Sequence, residues 1–113
     1  MAKKRIMIIK IKPLSVNQCW QGKRFKTSAY KAYEREILSL LPPVKISKKK
    51  LAIVLRFGFS SKASDIDNPV KPLLDILQKA YEFDDKMIFK LKVEKEIVKK
   101  GLEFVLIEIG NYE

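Results

Sequence analysis

Alternating apolar and polar side chains predict four strands in this chain. Residues 5–12, 51–59 and 88–97 place apolar side chains at every second position, which is the period of a strand with one buried face. Small apolar residues on the other face of 51–59 indicate a central strand. Residues 102–109 are mostly apolar and follow a Lys-Lys-Gly turn, so we predict that they form a hairpin with 88–97. The expected inward positions are Met7, Ile9, Ile11, Leu51, Ile53, Leu55, Phe57 and Phe59, and Phe89, Leu91 and Val93 form the apolar side of a half-exposed strand.

Two further stretches repeat apolar residues at helical spacing. The first covers residues 28–41 and ends at Pro42-Pro43. The second starts at Asn68-Pro69, because Asn is a favoured N-cap and Pro suits the first helical position, and it ends near Tyr81. The resulting order is β-α-β-α-β-β, an α+β fold in which two helices pack on one mixed sheet. The expected apolar stripes are Tyr30, Tyr33, Ile37, Leu40 and Leu41 in the first helix and Val70, Leu73, Leu74, Leu77, Ala80 and Tyr81 in the second.

Length and composition predict a single globular domain over residues 1–113. The 113 residues are 47% hydrophobic, which suffices for one core. No apolar run is long enough to cross a bilayer, and the run near the N-terminus is too short for a secretory signal. Cys19 is the only cysteine, which suits a reducing cytoplasm. Because there is no histidine, the chain lacks the residues of typical zinc and haem sites and of a Ser-His-Asp triad.

The net charge of +11 lies in the first half of the chain. Residues 1–50 carry 14 Lys/Arg and two acidic residues, whereas residues 51–113 carry 10 Lys/Arg and 11 acidic residues. A basic half attracts a polyanion by counterion release and by steering. Adaptation to heat is the alternative explanation, but it would raise both signs of charge together. We therefore expect a nucleic acid as the partner.

The long loop 13–27 is the first candidate for that contact. It mixes polar donors and cations with Trp20 and Phe25, a composition that suits phosphates and unstacked bases, although the two aromatic residues are expected to anchor the loop to the core. The candidate nucleic-acid-binding residues are Asn17, Lys23, Arg24 and Lys26 in this loop and Lys62 after the central strand.

Four aspartates flank the second helix in this lysine-rich chain. If their segment stays extended, Asp65 and Asp67 point to the same face. A helix of about twelve residues spans about 18 Å, so Asp84-Asp85 can rejoin them if the next strand lies beside 51–59. Three converging carboxylates repel one another unless a cation lies between them, and oxygen ligands favour Mg²⁺ or Mn²⁺. The alternative is that these aspartates are loop, capping and surface-turn residues.

The spacing of these residues resembles that of the RusA family of Holliday junction resolvases. The stronger match consists of Asp65-Ile-Asp67-Asn68, Lys71, Asp75, Leu77 and the pair Asp84-Asp85, and the weaker match is Pro13-Leu-Ser15-Val-Asn17. The order of elements is also similar, so the resemblance covers nearly the whole chain. The chain departs from the family pattern at Ser64, where a basic residue is common, and at Met87, where a polar residue is expected.

The resemblance implies a homodimer that binds branched DNA in the form of four-way junctions. It implies paired cleavage of opposing strands with Mg²⁺, which Mn²⁺ can replace, in the cytoplasm of a bacterial, archaeal or phage-infected cell. Asp65, Asp67 and Asp85 would be the metal-binding and catalytic carboxylates, and Lys71 the essential basic residue. The chemistry of Lys71 allows contact with the scissile phosphate. An ion pair with Asp75, four residues later, is the alternative, and both roles are compatible.

Two other function classes stay open from the sequence. Nucleotidyltransferases also use an Asp-x-Asp pair, but they usually carry a Gly-Ser turn before it, and Gly58-Phe59-Ser60 interrupts that dipeptide. A basic nucleic-acid-binding module with structural acidic residues is the non-enzymatic alternative. Strand scission that depends on Mg²⁺ separates the nuclease from that module.

Overall fold

The fold is built on a four-stranded mixed sheet, as the sequence predicts. The computed structural model describes residues 4–15, 20–21, 25–46 and 49–112, with the backbone only for residues 20, 21 and 25. The sheet has the strand order β1-β6-β4-β5, in which β4 and β5 are parallel and the other neighbours are antiparallel. The strands are β1 (Arg5–Ile9), β4 (Leu51–Phe59), β5 (Ile88–Ile97) and β6 (Phe104–Asn111), and the helices are α1 (Ser28–Leu40) and α2 (Val70–Tyr81). Two short strands, β2 (Trp20–Gln21) and β3 (Phe25–Lys26), pair within the predicted loop.

The predicted hairpin between the last two strands is wrong, because β4 lies between them. β4 pairs with β5 on one side and with β6 on the other, so both edges of this apolar strand are hydrogen-bonded. The connection from β5 to β6 passes the end of β4, where the Val98 N–H donates to the Phe59 carbonyl. It spans two inter-strand spacings of about 4.8 Å each. Gly101 helps the chain turn there with a φ of 96°.

One face of the sheet packs against both helices to form the core. The predicted inward residues of β4 are all buried, as are Met7 and Ile9 of β1, whereas Ile11 is partly buried because β1 ends at Ile9. β5 is an edge strand, and Leu91 and Val93 are in register with the inward-facing Ile53 and Leu55, as predicted. The prediction for Phe89 is wrong, because a register shift between Leu51 and Ala52 places Ile88 opposite Leu51 on the inward side and leaves Phe89 52% exposed. The opposite face of the sheet carries no helix in the described part of the chain.

The helices differ from the predictions mainly at their ends. In α1, Tyr30, Tyr33 and Ile37 are buried as expected, but Leu40 is 55% exposed because the helix ends there. Pro69, rather than Asn68, occupies the N-cap of α2, and no side chain caps that helix. α2 also buries Ile76, outside the predicted stripe. None of the helices in the described residues is long and apolar enough to span a membrane.

Candidate active site

The loop from residue 60 to residue 69 carries the first pair of aspartates and is attached to β5. Lys95 of β5 donates through Nζ to the Ser64 carbonyl at 2.7 Å and to the Lys62 carbonyl at 3.4 Å. The Ser64 N–H donates to the Ser61 carbonyl at 3.3 Å. The segment that leads into Asp65 is therefore held against the edge strand by an ammonium group and by its own turn.

Asp65 and Asp67 both have exposed side chains, but the segment bends instead of staying extended. The Asp65 carboxylate accepts a hydrogen bond from the Asn68 side-chain amide at 3.2 Å. The Asp67 carbonyl accepts from the Val70 N–H at 3.1 Å, which closes the turn before α2. Asn68 thus supports the first aspartate instead of capping the helix. The backbone bend replaces the simple strand alternation on which the sequence argument relied.

Lys71 lies in the first turn of α2 and faces acidic residues. Its Nζ donates to Asp75 Oδ1 at 2.9 Å, one helical turn later. This hydrogen bond raises the pKa of the Lys71 ammonium, partial burial opposes the rise, and the charges of Asp75 and Asp85 add to it. Lys71 and Asp67 also line the same surface groove.

The second acidic pair begins a short 3₁₀ turn, Asp85–Met87, that leads into β5. The Asp84 carboxylate caps this turn by accepting from the Lys86 N–H at 3.0 Å, and this bond lowers the pKa of Asp84, as does its hydrogen bond with Asp85. The Asp85 N–H donates to Gln78 Oε1 at 3.1 Å, which attaches the turn to α2. Asp84 therefore has a structural contact that the sequence did not reveal. β5 lies beside β4 as expected, but the two strands are parallel, so the acidic pairs lie at opposite strand ends and only a loop that folds back along β5 can bring them closer together.

The side chains of the predicted metal site have the ligand atoms that a hard cation prefers. Asp65, Asp67 and Asp85 present exposed carboxylates, the ligand type that Mg²⁺ and Mn²⁺ prefer. Within the described ranges, no three acidic or cysteine side chains are close enough together to hold a metal ion. Like charges disfavour such convergence when nothing neutralises them. A bound cation would therefore have to draw the carboxylates of Asp65, Asp67 and Asp85 closer to one another.

The predicted nucleic-acid contacts are only partly within the described residues. Asn17, Lys23 and Arg24 lie outside them. Lys26 donates to Glu34 at 3.3 Å and its Nζ is 5.2 Å from the centre of the Tyr30 ring, so its charge is engaged inside the protein. Lys62 is exposed in the loop before Asp65.

Sequence reasoning missed Lys95 and Gln78 because both act through residues distant in the chain. Gln78 lies outside the apolar stripe of α2, and nothing in the sequence indicates its contact with Asp85. One feature of the sequence does indicate that Lys95 has polar partners. Lys95 lies on the same side of β5 as Leu91 and Val93, because its register partner is the inward-facing Phe57. A lysine on the apolar side of a strand needs polar partners, and the aspartate loop provides them.

Comparison with known families agrees with this geometry. The chain matches the sequence model of the family described as Endodeoxyribonuclease RusA over residues 15–109. The chain belongs to the RusA endodeoxyribonuclease family. No curated protein sequence matched it. As a RusA protein it is an endodeoxyribonuclease, a hydrolase that acts on DNA, in a family that resolves Holliday junctions and generally depends on a divalent metal ion.

Proposed function

We propose that this RusA protein resolves four-way DNA junctions by paired, Mg²⁺-dependent cleavage of two opposing strands, with Mn²⁺ as a possible replacement for Mg²⁺. The observation that carries the proposal is the position of Lys71. Its ammonium lines one groove with Asp67 and is held by Asp75 at 2.9 Å. A cation is thereby fixed beside the first of the two acidic segments that the family resemblance assigns to catalysis, and the charge of Asp85 in the second segment adds to the rise in its pKa.

Each proposed catalytic residue has a distinct task. Asp65, Asp67 and Asp85 would hold the metal ion, which would supply an activated water and relieve charge on the phosphorus. Lys71 binds a non-bridging oxygen of the scissile phosphate, where negative charge develops. Its raised pKa keeps it protonated at neutral pH. Asp75 orients the ammonium, and Asn68 orients the Asp65 carboxylate.

The decisive experiment compares a labelled synthetic four-way junction with a linear duplex of the same sequence, each with and without Mg²⁺. We expect metal-dependent scission of the junction only. Asp65→Asn, Asp67→Asn and Asp85→Asn should each abolish cutting and keep junction binding, because each removes negative charge from a surface that binds a polyanion. Loss of binding in all three, or full activity in any one, would contradict the assignment. Binding without scission by the unmodified protein would indicate a non-catalytic binding module.

Asp84→Asn is the matched control for Asp85→Asn. Asn can still accept the Lys86 N–H bond that caps the turn, since Asn and Asp are comparable capping residues. We expect Asp84→Asn to retain most of the activity. Equal loss at both positions would mean that the neighbouring carboxylate also takes part in the reaction.

The first half of the chain supplies four of the five proposed DNA contacts, at Asn17, Lys23, Arg24 and Lys26, and Lys62 in the loop before Asp65 is the fifth. Neutralising Lys23, Arg24 and Lys26 to Gln should reduce the slope of log affinity against log salt by up to about 2–3, since each lost phosphate contact lowers the slope by about one. The control is a triple neutralisation of lysines in the second half, Lys90, Lys99 and Lys100, which should change the slope less. Equal slopes for the two triple variants would refute this placement.

We further propose a homodimer, because two symmetric cuts require two equivalent sites. An isologous dimer presents such sites about a two-fold axis, like that of the junction. The proposed surface is the face of the sheet opposite the helices, where Ile6 and Ile8 of the edge strand β1 are 61% and 65% exposed. Ile6 is in register with Glu108, and Arg56 of β4 bonds Glu94 on the neighbouring strand, so the patch includes charges of both signs. A second copy can match such a mixed surface, whereas DNA would meet its carboxylates.

Sedimentation equilibrium tests the dimer and its surface together. The unmodified protein should sediment with twice the mass of one chain, and Ile8→Glu should shift it to one chain. Leu102→Glu is the matched control, because Leu102 is 64% exposed but lies in the turn before β6. A monomer that still cuts both strands in one binding event would refute the dimer.

A further inference from the structure

An apolar groove opens directly beside the proposed catalytic residues. It has a volume of about 370 Å³ and lies between the start of α2 and the edge strand β5. Two of its residues, Ile66 and Leu91, are 41% and 42% exposed, although both are large and aliphatic. The other aliphatic lining residues are Val70, Leu74 and Val93, and the only charged ones are Asp67 and Lys71. This exposed apolar surface therefore shares two residues with the proposed active site.

One ammonium group lines the groove, and a second follows its lining residues along β5. Lys71 lines it on the helix side. On the strand side, Lys95 follows Val93 by two residues and points to the same face, which places it about 6.6 Å further along β5. Two of its three N–H groups are directed at the carbonyls of Lys62 and Ser64, which leaves one donor for an outside group. An apolar floor between two ammonium groups suits a ligand with an apolar centre and anionic ends.

A nucleotide of the DNA strand has that character. A phosphate bound by the Lys71 ammonium brings its sugar and base with it, and Lys95 offers a second cation for the next phosphate along the strand. The aliphatic walls offer no hydrogen bonds to the edges of a base, so they contact its faces and tolerate different bases.

We propose that this groove binds an unstacked base next to the scissile phosphate and so favours junctions over duplex DNA. In a duplex, taking a base out of the stack costs a few kcal/mol, and the cost is least where pairing or stacking is already interrupted. The exchange point of a junction is such a place. The inference rests on the proposed endonuclease function and adds a substrate-binding subsite to it.

The test couples a change in the groove to a change in the DNA. Leu91→Ala shortens the groove wall, and Ile97→Ala is its control, because Ile97 is also 42% exposed and stands on the same side of β5 outside the groove. Each variant is assayed on an intact junction and on junctions with an abasic site on either side of the mapped cut. We expect Leu91→Ala to lower kcat/KM about five- to tenfold on the intact junction, because it removes three carbons of apolar surface from contact with the base.

The same variant should cause no further loss on the abasic junction that lacks the bound base. Equal losses on intact and abasic junctions, or an equal loss with Ile97→Ala, would overturn the proposal. Ile66→Ala provides a second variant from the other wall, with melting temperatures to confirm folding. If sedimentation changes while DNA cleavage does not, the groove is a protein contact and the proposal is wrong.

A binding readout separates this inference from the cleavage mechanism. With 2-aminopurine next to the cut and without metal, the unmodified protein should increase the fluorescence of the junction, because the base leaves the stack. Leu91→Ala should reduce that increase and Ile97→Ala should not. Absence of any increase would refute the groove proposal even if cleavage is normal. An increase without Mg²⁺-dependent cleavage would support the groove and refute the proposed function.

Discussion

Lys95→Met tests whether the loop that carries Asp65 must be held against β5. Methionine keeps much of the apolar stem but removes the ammonium that donates to the carbonyls of Ser64 and Lys62, at 2.7 and 3.4 Å. A hydrogen bond from a charged donor contributes about 1.5–3 kcal/mol in protected settings. Lys95 is exposed and its second hydrogen bond is long, so we expect the two hydrogen bonds together to stabilise the ordered loop by about 1 kcal/mol.

That energy corresponds to about a fivefold decrease in the population of the ordered loop, since 1.4 kcal/mol is about tenfold. The loop carries carboxylates that we propose act in the chemical step, so the loss should fall mainly on kcat. KM should rise less, because most of the proposed DNA contacts lie elsewhere. The assay is single-turnover and steady-state cleavage of the four-way junction, with urea unfolding to confirm that global stability changes by less than about 1 kcal/mol.

Lys92→Met is the control for this variant. It removes the same charge from the same strand, but Lys92 is in register with Val54 and stands on the opposite face. Lys95→Arg should recover part of the activity, because guanidinium can still donate to the carbonyls. The reasoning fails if Lys95→Met and Lys92→Met have equal kcat values, or if Lys95→Met changes KM alone.

Two further predictions concern the stability of the framework. The Glu34 carboxylate joins Lys26 to Lys79 of α2, and although burial raises its pKa, the hydrogen bonds from Lys79 and Lys26 hold the pKa below its ordinary value. The stabilisation that Glu34 contributes is therefore present above about pH 4.5 and is lost as the pH falls through its lower folded pKa. Glu34→Gln should lower the free energy of unfolding in urea by about 1–2 kcal/mol at pH 7 and by much less at pH 3. An equal decrease at both pH values would contradict this. Gly58→Ala should cost about 1–3 kcal/mol, because its Cβ would overlap the Phe104 ring on β6, and Phe104→Leu should restore part of the loss.

The sequence predicted the elements better than their pairing. The two-residue period identified β4 with its bounds, and the helical period identified the buried side of α2, because burial follows directly from the positions of apolar residues. The hairpin was wrong because periodicity shows which face of a strand is buried but not which strand is its neighbour. β5 and β6 are consecutive in the chain, yet inserting β4 between them satisfies both edges of the most apolar strand.

The candidate site shows the same limit at the level of single residues. The aspartates and Lys71 were identifiable because their spacing is local. Their supports were not, because Lys95 reaches Ser64 across 31 positions and Gln78 reaches Asp85 across seven. Asn68 illustrates a competition between two roles, since its side chain can cap a helix or bond a nearby carboxylate, and the bend before α2 favours Asp65.

The parallel pairing of β4 and β5 sets a geometric problem for any site that uses both acidic pairs. Asp65 and Asp67 follow the end of β4, whereas Asp85 precedes the start of β5, and parallel strands place these points at opposite ends of the sheet. The loop reduces the distance between the two acidic segments by folding back along β5. Lys95 holds the carbonyls of residues 62 and 64. Further along the loop, Ile66 and Asp67 border a groove with Leu91 and Val93 of β5. Leu91 is only about 10 Å along the strand from Ile88, which follows the turn that carries Asp85. If both acidic segments act on one phosphate, as we propose, the attachment by Lys95 is the feature of the fold that brings the first segment back along β5 toward the second.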